Sequence, residues 1–254
     1  MRGRLCALGV LLLSACGGSP STPSSASVAA TAVAAPFVSA HFTFFYTTLD
    51  SVNIDAIARG AEAEYARIVS DLAASTMPPV QVHFYANHQA LEIAVAPQVG
   101  SIPSWASGLA TAADQIHLMS PNHPDYAPFT RMVTNLVHEF AHCVSIRVNP
   151  RIPNNPRWLW ESVAIYEAGQ FVDPRGVSYM AAGRPPAFAT LNGFDNTLIY
   201  DVGFTIAAVI VSKGGQAALD DLVSNNGDVG ATFGTTPDAF ERDWYAFVRS
   251  RYGV

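Results

Sequence analysis

Cysteine is scarce in this chain, runs of positive charge are missing, and no internal repeat is visible. Three cysteines in 254 residues leave little material for a disulfide framework, and Cys6 lies in a segment that reads as a removable export signal. The formal charge is −6 with no Lys/Arg run, which argues against nucleic acid as a partner. Beyond the amino terminus no stretch approaches transmembrane length without polar interruption. Val202 to Val211 is strongly apolar and is expected to form a buried helix.

The amino terminus combines Arg2 and Arg4, an apolar stretch from Leu5 to Leu13, and small residues before Cys16. That order makes residues 1–15 an export signal, too short to remain as a membrane span. Leu13-Ser14-Ala15-Cys16 resembles a bacterial lipobox, which implies cleavage before Cys16, lipidation of that cysteine and anchorage to a membrane. The alternative is a plain secretory signal with a coincidental cysteine. Gly17 carries no sign of retention at an inner membrane, so the outer membrane or cell surface is expected. Loss of Arg2 and Arg4 moves the charge from −6 to −8, and Cys143 is then the one free thiol, so no internal disulfide can form. Residues 16–37 are Gly, Ser, Pro, Thr, Ala and Val almost throughout, a tether that cannot support a core. Residues 38–254 suffice for one substantial domain.

Within that domain the informative motif is His138-Glu139-Phe140-Ala141-His142. Residues four apart on a helix lie about 40° apart around its axis, so both imidazoles can face one ion. Glu139 falls roughly a quarter-turn away, poorly placed as a ligand but near a water bound to that ion. Met132, Val133, Leu136, Val137, Phe140, Ala141 and Val144 supply the buried sides, and no Pro or Gly interrupts Arg131 to Val148. Cys143 differs in direction from His142 by about 100° and reads as a small buried hydrophobe rather than a ligand.

A catalytic zinc site has three protein ligands and one open position. Glu161 is expected to be the third. It lies on a helical run from about Trp158 to Gln170, opened by Asn155 and Pro156 and closed by Gly169. The competing account is an ordinary helix with partly exposed histidines.

These features resemble the gluzincin metallopeptidases, the group containing thermolysin and the leukotriene-hydrolase-like aminopeptidases, and within it the small bacterial peptidase MA-like domains. The specific matches are His138-Glu139-x-x-His142, the spacing to Glu161 and Trp158-Leu159-x-Glu161-x-x-Ala164. Looser similarity covers Trp105 to Ala110 with Ile116 to Pro121, which look like the family's substrate-side edge strand, and the segments Tyr200–Gly215 and Phe240–Trp244. The resemblance implies a thermolysin-like domain in which His138, His142 and Glu161 bind one Zn2+ and Glu139 is the general base for peptide hydrolysis. It also suggests Tyr200 as a donor to the oxyanion, with His117, His123 and Tyr166 as weaker alternatives and a packing role for Tyr200 equally open. Glu167 and Asp201 are available as partners for the zinc histidines, or as solvated surface acids.

One departure matters. The aminopeptidase branch carries a Gly-x-Met-Glu-Asn segment whose acid captures the substrate's amine, whereas here the stretch reads Gly108-Leu109-Ala110-Thr111-Ala112. Internal cleavage of envelope or extracellular polypeptide is therefore expected. The alternatives are an aminopeptidase that draws its acid from elsewhere, and a noncatalytic surface lipoprotein that keeps the fold.

Periodicity predicts strands at His41–Thr47, around Val80–Phe84 and at Gln115–Met119, and helices at about Asn53–Ala74 and His88–Val95. Helices follow at about 132–147, 158–169, 200–212, 215–224 and 237–251. The expected class is α+β, a small mixed sheet within 38–130 leading into a helical half at 131–254. The cleft is expected between the strand at Gln115–Met119 and the zinc helix, with a peptide adding along that strand's edge. Trp105, Trp158 and Trp160 are candidates for its lining or for packing.

Overall fold

The computed structural model describes residues 35–122 and 129–254; the expected signal at 1–15, Cys16 and nearly all of the expected tether lie outside the described residues. Alternation builds the amino-terminal half. β1 (Phe37–Val38), β2 (Phe42–Phe45), β3 (Val80–Tyr85), β4 (Gly108–Ala112) and β5 (Gln115–Met119) form one sheet in the order β1-β2-β3-β5-β4. The three central strands run parallel, and β1 and β4 are antiparallel edges. Phe42, Phe44, Val80, Val82, Phe84, Ile116 and Leu118 are buried at every second position and make one apolar face.

Two helices cover that face. α1 (Ile54–Asp71) buries Ile54, Ile57, Ala61 and Ile68, and α3 (Phe129–Val148) buries Leu136, Val137, Phe140 and Val144. Phe140 meets Phe42 and Tyr65 with ring centres 5.2 Å away in each case, which ties α3 to β2 and α1. α2 (His88–Val99) packs on the other side of the sheet through Leu91 and Val95. The class is α+β, as the sequence implies.

Two strand expectations need correction. The short β1 was not foreseen, and the strand expected over His41–Thr47 contracts to Phe42–Phe45, because Thr47 turns back to donate to Asp50. More consequentially, Gln115–Met119 has no free edge: it lies between β3 and β4. Among the described residues, the open edge beside α3 belongs to β4, which turns back antiparallel on β5 with a register shift between Ala110 and Ala112.

The carboxy-terminal half is helical. α4 (Arg157–Glu167) is followed by a 3-10 turn at Pro174–Gly176, then α5 (Ser178–Ala181), α6 (Phe188–Leu191), α7 (Ile199–Ser224), α8 (Val229–Phe233) and α9 (Pro237–Tyr252). The two helices expected at 200–212 and 215–224 are the halves of α7, joined at a kink where Gly215 has φ +71°. α7 is long and apolar enough to cross a membrane by length and composition, yet Val202, Ile206, Ala207, Val209 and Ile210 are buried in the core, as expected for Val202–Val211. It packs closely on α4 at Gly203, where a Cβ would stand 2.7 Å from Ile165 Cδ1 and 3.3 Å from Ser162 Cα.

Acidic helix ends converge near α4. Arg67 on α1 donates to Glu167 Oε2 at 2.6 Å and to its carbonyl at 2.5 Å, and also to Glu64 and Asp71. Asp220 on α7 has no such partner: its Oδ1 is buried without a hydrogen bond among the described residues. Burial, then the charges of Asp221, Glu167 and Asp71, push its pKa up to about 7 from 3.8. The folded chain thus holds a proton that the unfolded chain releases, so the associated stability is complete below pH 3.8 and is lost as the pH rises through about 7. Asp220→Asn should leave this loss behind, so its thermal midpoint should gain on the wild type as the pH rises through that window. A pH-independent difference between the two midpoints would refute the assignment.

Candidate metal centre

α4 is buried on almost every side, so each of its polar side chains must find a partner or carry a free-energy cost. Ser162 donates to the Trp158 carbonyl at 2.5 Å. Glu167 accepts from Arg67 and from Gln216. Arg157 donates to backbone carbonyls. Glu161 is the exception: its Oε2 has no hydrogen-bond partner among the described residues and faces His138 Nε2 at 3.4 Å and His142 Nε2 at 3.8 Å.

The helix period supplies the other two donors. His138 and His142 lie one turn apart on α3, their rings 4.7 Å apart and nearly perpendicular. One donor atom from each of His138, His142 and Glu161 falls within 4.8 Å of the others, and all three residues are buried. These three can hold a metal ion. A divalent cation would answer the buried, unpartnered carboxylate oxygen, which otherwise costs several kcal/mol.

Electrostatics within the cluster are strongly coupled. Burial disfavours the charged form of His138, but its contact with Glu161 and the charges of Glu139 and Glu161 outweigh that and raise its pKa. Burial, then the charges of His138 and Arg157, hold His142 well below its usual range. Glu139 is pushed up to about 7, mainly by burial and further by Glu161, while His138 and the Ala110 N–H on β4 oppose the shift. Glu139 Oε2 also lacks a partner among the described residues. β4 comes close here because residue 108 is glycine: a Cβ would collide with Leu118 and stand 3.3 Å from Glu139 Oε1.

The groups that orient the ligands are not the acids proposed from sequence. His138 Nδ1 bonds Gln170 Oε1 at 2.8 Å, and Gln170 Nε2 donates to Asn135 Oδ1 at 3.3 Å. Glu167 is spent on Arg67 and Gln216, and Asp201 accepts from the Tyr179 hydroxyl at 2.9 Å. His142 is steadied by stacking on Trp160 at 3.8 Å and 11°, and its Nδ1 has no hydrogen-bond partner among the described residues.

Tyr200, at the start of α7, stands beside Arg157, whose guanidinium lies 5.8 Å from its ring centre. Burial, then Glu161, drive its pKa upward, with Glu139 adding and Arg157 opposing, and Trp105 packs edge-on against it at 5.7 Å. The weaker candidates do not join the cluster. His117 points from the opposite face of the sheet, bonded to Tyr85 and near Thr111, its pKa lowered to about 4 by burial and then by His83. Tyr166 packs on Phe204. His123 lies outside the described residues. Cys143 is the buried hydrophobe expected, its Sγ directed at the Gln115 carbonyl. Of the three tryptophans considered for the cleft, Trp158 and Trp160 are buried, and Trp105 alone of these presents substantial surface.

Arg157 and Gln170 escaped the sequence reading. Arg157 precedes Glu161 by four residues, a helical ion-pair spacing that was there to be noticed. Gln170 sits one residue past the helix-ending glycine, where no periodicity applies. Compared with models of known protein families and with curated proteins, the sequence finds no match.

Gln170→Leu keeps the volume but removes the acceptor for His138. Chelator competition should show metal affinity lowered about 10- to 100-fold, and unchanged affinity would exclude Gln170 from the centre.

Proposed function

We propose that this chain is a zinc-dependent metallopeptidase of the gluzincin, thermolysin-like type. The observation that carries the proposal is the unpartnered Glu161 Oε2 facing two histidine Nε2 atoms, with Glu139 one residue along from the first histidine. Zinc–ligand bonds of about 2.0–2.2 Å at tetrahedral angles put ligand atoms roughly 3.3–3.6 Å apart. The observed 3.4 and 3.8 Å lie close to that spacing. Two imidazoles and a carboxylate are a donor set that suits zinc. When bound, the ion supplies a Lewis acid that polarises the scissile carbonyl and acidifies water.

The chain's own residues then have distinct tasks. Glu139 takes a proton from water and returns one to the leaving amine, its carboxyl lying against β4 at Gly108. A cation nearby lowers its pKa from the value set by burial. Tyr200 donates its hydroxyl to the developing oxyanion. The open edge of β4 offers main-chain groups to an extended peptide, with Trp105 beside Tyr200 as an exposed aromatic contact. Residues 108–112 carry no acid to capture an amine, which supports internal cleavage. The proposal includes export, lipidation at Cys16, and envelope or extracellular polypeptides as substrates.

Glu139→Gln is the decisive variant. It should keep one equivalent of metal and lose hydrolysis of a diverse peptide mixture by about 10²–10⁴-fold. Undiminished hydrolysis would overturn the base assignment, and a wild-type protein that binds metal but cleaves nothing would mark a noncatalytic lipoprotein. Blocking the peptides' amino ends should leave cleavage intact; loss of cleavage would identify an aminopeptidase.

A further inference from the structure

Arg157 opens α4 one turn before Glu161, and it is 2% exposed. One arm of its guanidinium is consumed by the segment between α6 and α7: Nη1 donates to the carbonyls of Asn196 at 2.7 Å, Gly193 at 3.3 Å and Leu191 at 3.4 Å. The other arm turns to the metal centre. Nη2 stands 3.7 Å from Glu161 Oε1, the oxygen that does not face the histidines. The same guanidinium lies 5.8 Å from the centre of the Tyr200 ring.

A buried cation so close to a cation site opposes metal binding by simple repulsion. Its place there calls for a function other than added attraction, and the planar fork provides one. Arginine's donors are fixed in direction, so contacts to two acceptors set those acceptors relative to each other. Glu161 is left with one oxygen on the arginine and the other on the histidines. A guanidinium beside the Tyr200 ring can donate to the phenol oxygen, which would leave the tyrosine's own O–H to donate elsewhere.

We propose that Arg157 is a positioning residue of this centre: its guanidinium holds Glu161 Oε1 and the Tyr200 hydroxyl together, so that Glu161 Oε2 alone faces the cation and the tyrosine O–H is turned toward the reacting carbonyl. The second part rests on the metallopeptidase reading; the first concerns metal binding alone.

Arg157→Lys, Tyr200→Phe and the double variant test this in the full-length protein. Lysine keeps a buried charge and donors for the loop carbonyls but cannot span both acceptors. Arg157→Lys should weaken Zn2+ binding about 10-fold in chelator competition, alter the visible absorption of the Co2+ form, and lower kcat about 10-fold or more with KM changed less than about 3-fold. Tyr200→Phe should lower kcat and leave metal affinity unchanged. The double variant should be no slower than the slower single one, because both changes break one unit. Arg157→Lys with wild-type affinity and Co2+ spectrum overturns the hold on Glu161, as does strictly multiplicative loss in the double variant for the shared unit. If Arg157→Lys does not fold, Tyr200→Phe decides the second part, which an unchanged kcat overturns. If the wild type binds metal and cleaves no peptide, the function fails, while the affinity and Co2+ measurements still decide what Arg157 does to Glu161.

Discussion

One buried carboxylate oxygen dictates the arrangement around it. Glu161 Oε2 sits in the interior with two imidazole nitrogens as polar neighbours and no hydrogen bond among the described residues. Keeping a group of that kind in place demands a stiff support, and α4 is clasped along its length. Its first residue is tied into the loop ahead of α7 through Arg157, its middle packs tightly on α7 where Gly203 lacks a side chain, and its last residue is gripped by Arg67 from α1. The three contacts come from different parts of the fold. The sheet-containing half and the helical half therefore cooperate in aiming a single ligand.

β4 links two aspects of the site. Its Gly108 lies against the Glu139 carboxylate, where a Cβ would stand 3.3 Å from Oε1, and its outer edge is unpaired among the described residues. Its register shift between Ala110 and Ala112 marks the same place. Anything that pairs with this strand lies beside Glu139. The sheet also sorts the histidines: His83 and His117 occupy the face away from α3, where burial lowers both pKa values, while His138 and His142 lie beyond the apolar face.

Much of this was readable from residue pattern alone, for physical reasons. Long periodic segments such as α1, α3, α7 and α9 declare themselves because burial of one side repeats over several turns. The pairing of His138 with His142 was legible because a helix converts a spacing of four into proximity, whereas Glu161, on another helix, was expected only because such a site needs a third ligand and from the spacing of the family the motif resembles. What stayed hidden depends on contacts remote in sequence. Strand order is one case: Gln115–Met119 was read as the border of the cleft, but only the antiparallel return of β4 shows which strand keeps a free edge. The partner of His138 is another, since Gln170 lies past the end of α4, after the left-handed Gly169, and Glu167, the nearer acid, is claimed by an arginine 100 residues earlier. β1, two residues long, has too few positions to alternate.

The polypeptide enters this sheet at β1, the border strand furthest from β4. Four strand intervals of about 4.8 Å separate those borders, roughly 19 Å in all. Phe37 thus stands on the flank of the sheet opposite the β4 border, so the place where the described chain joins the sheet and the strand edge beside Glu139 are kept apart by the full width of the sheet, and a partner laid along one does not obstruct the other.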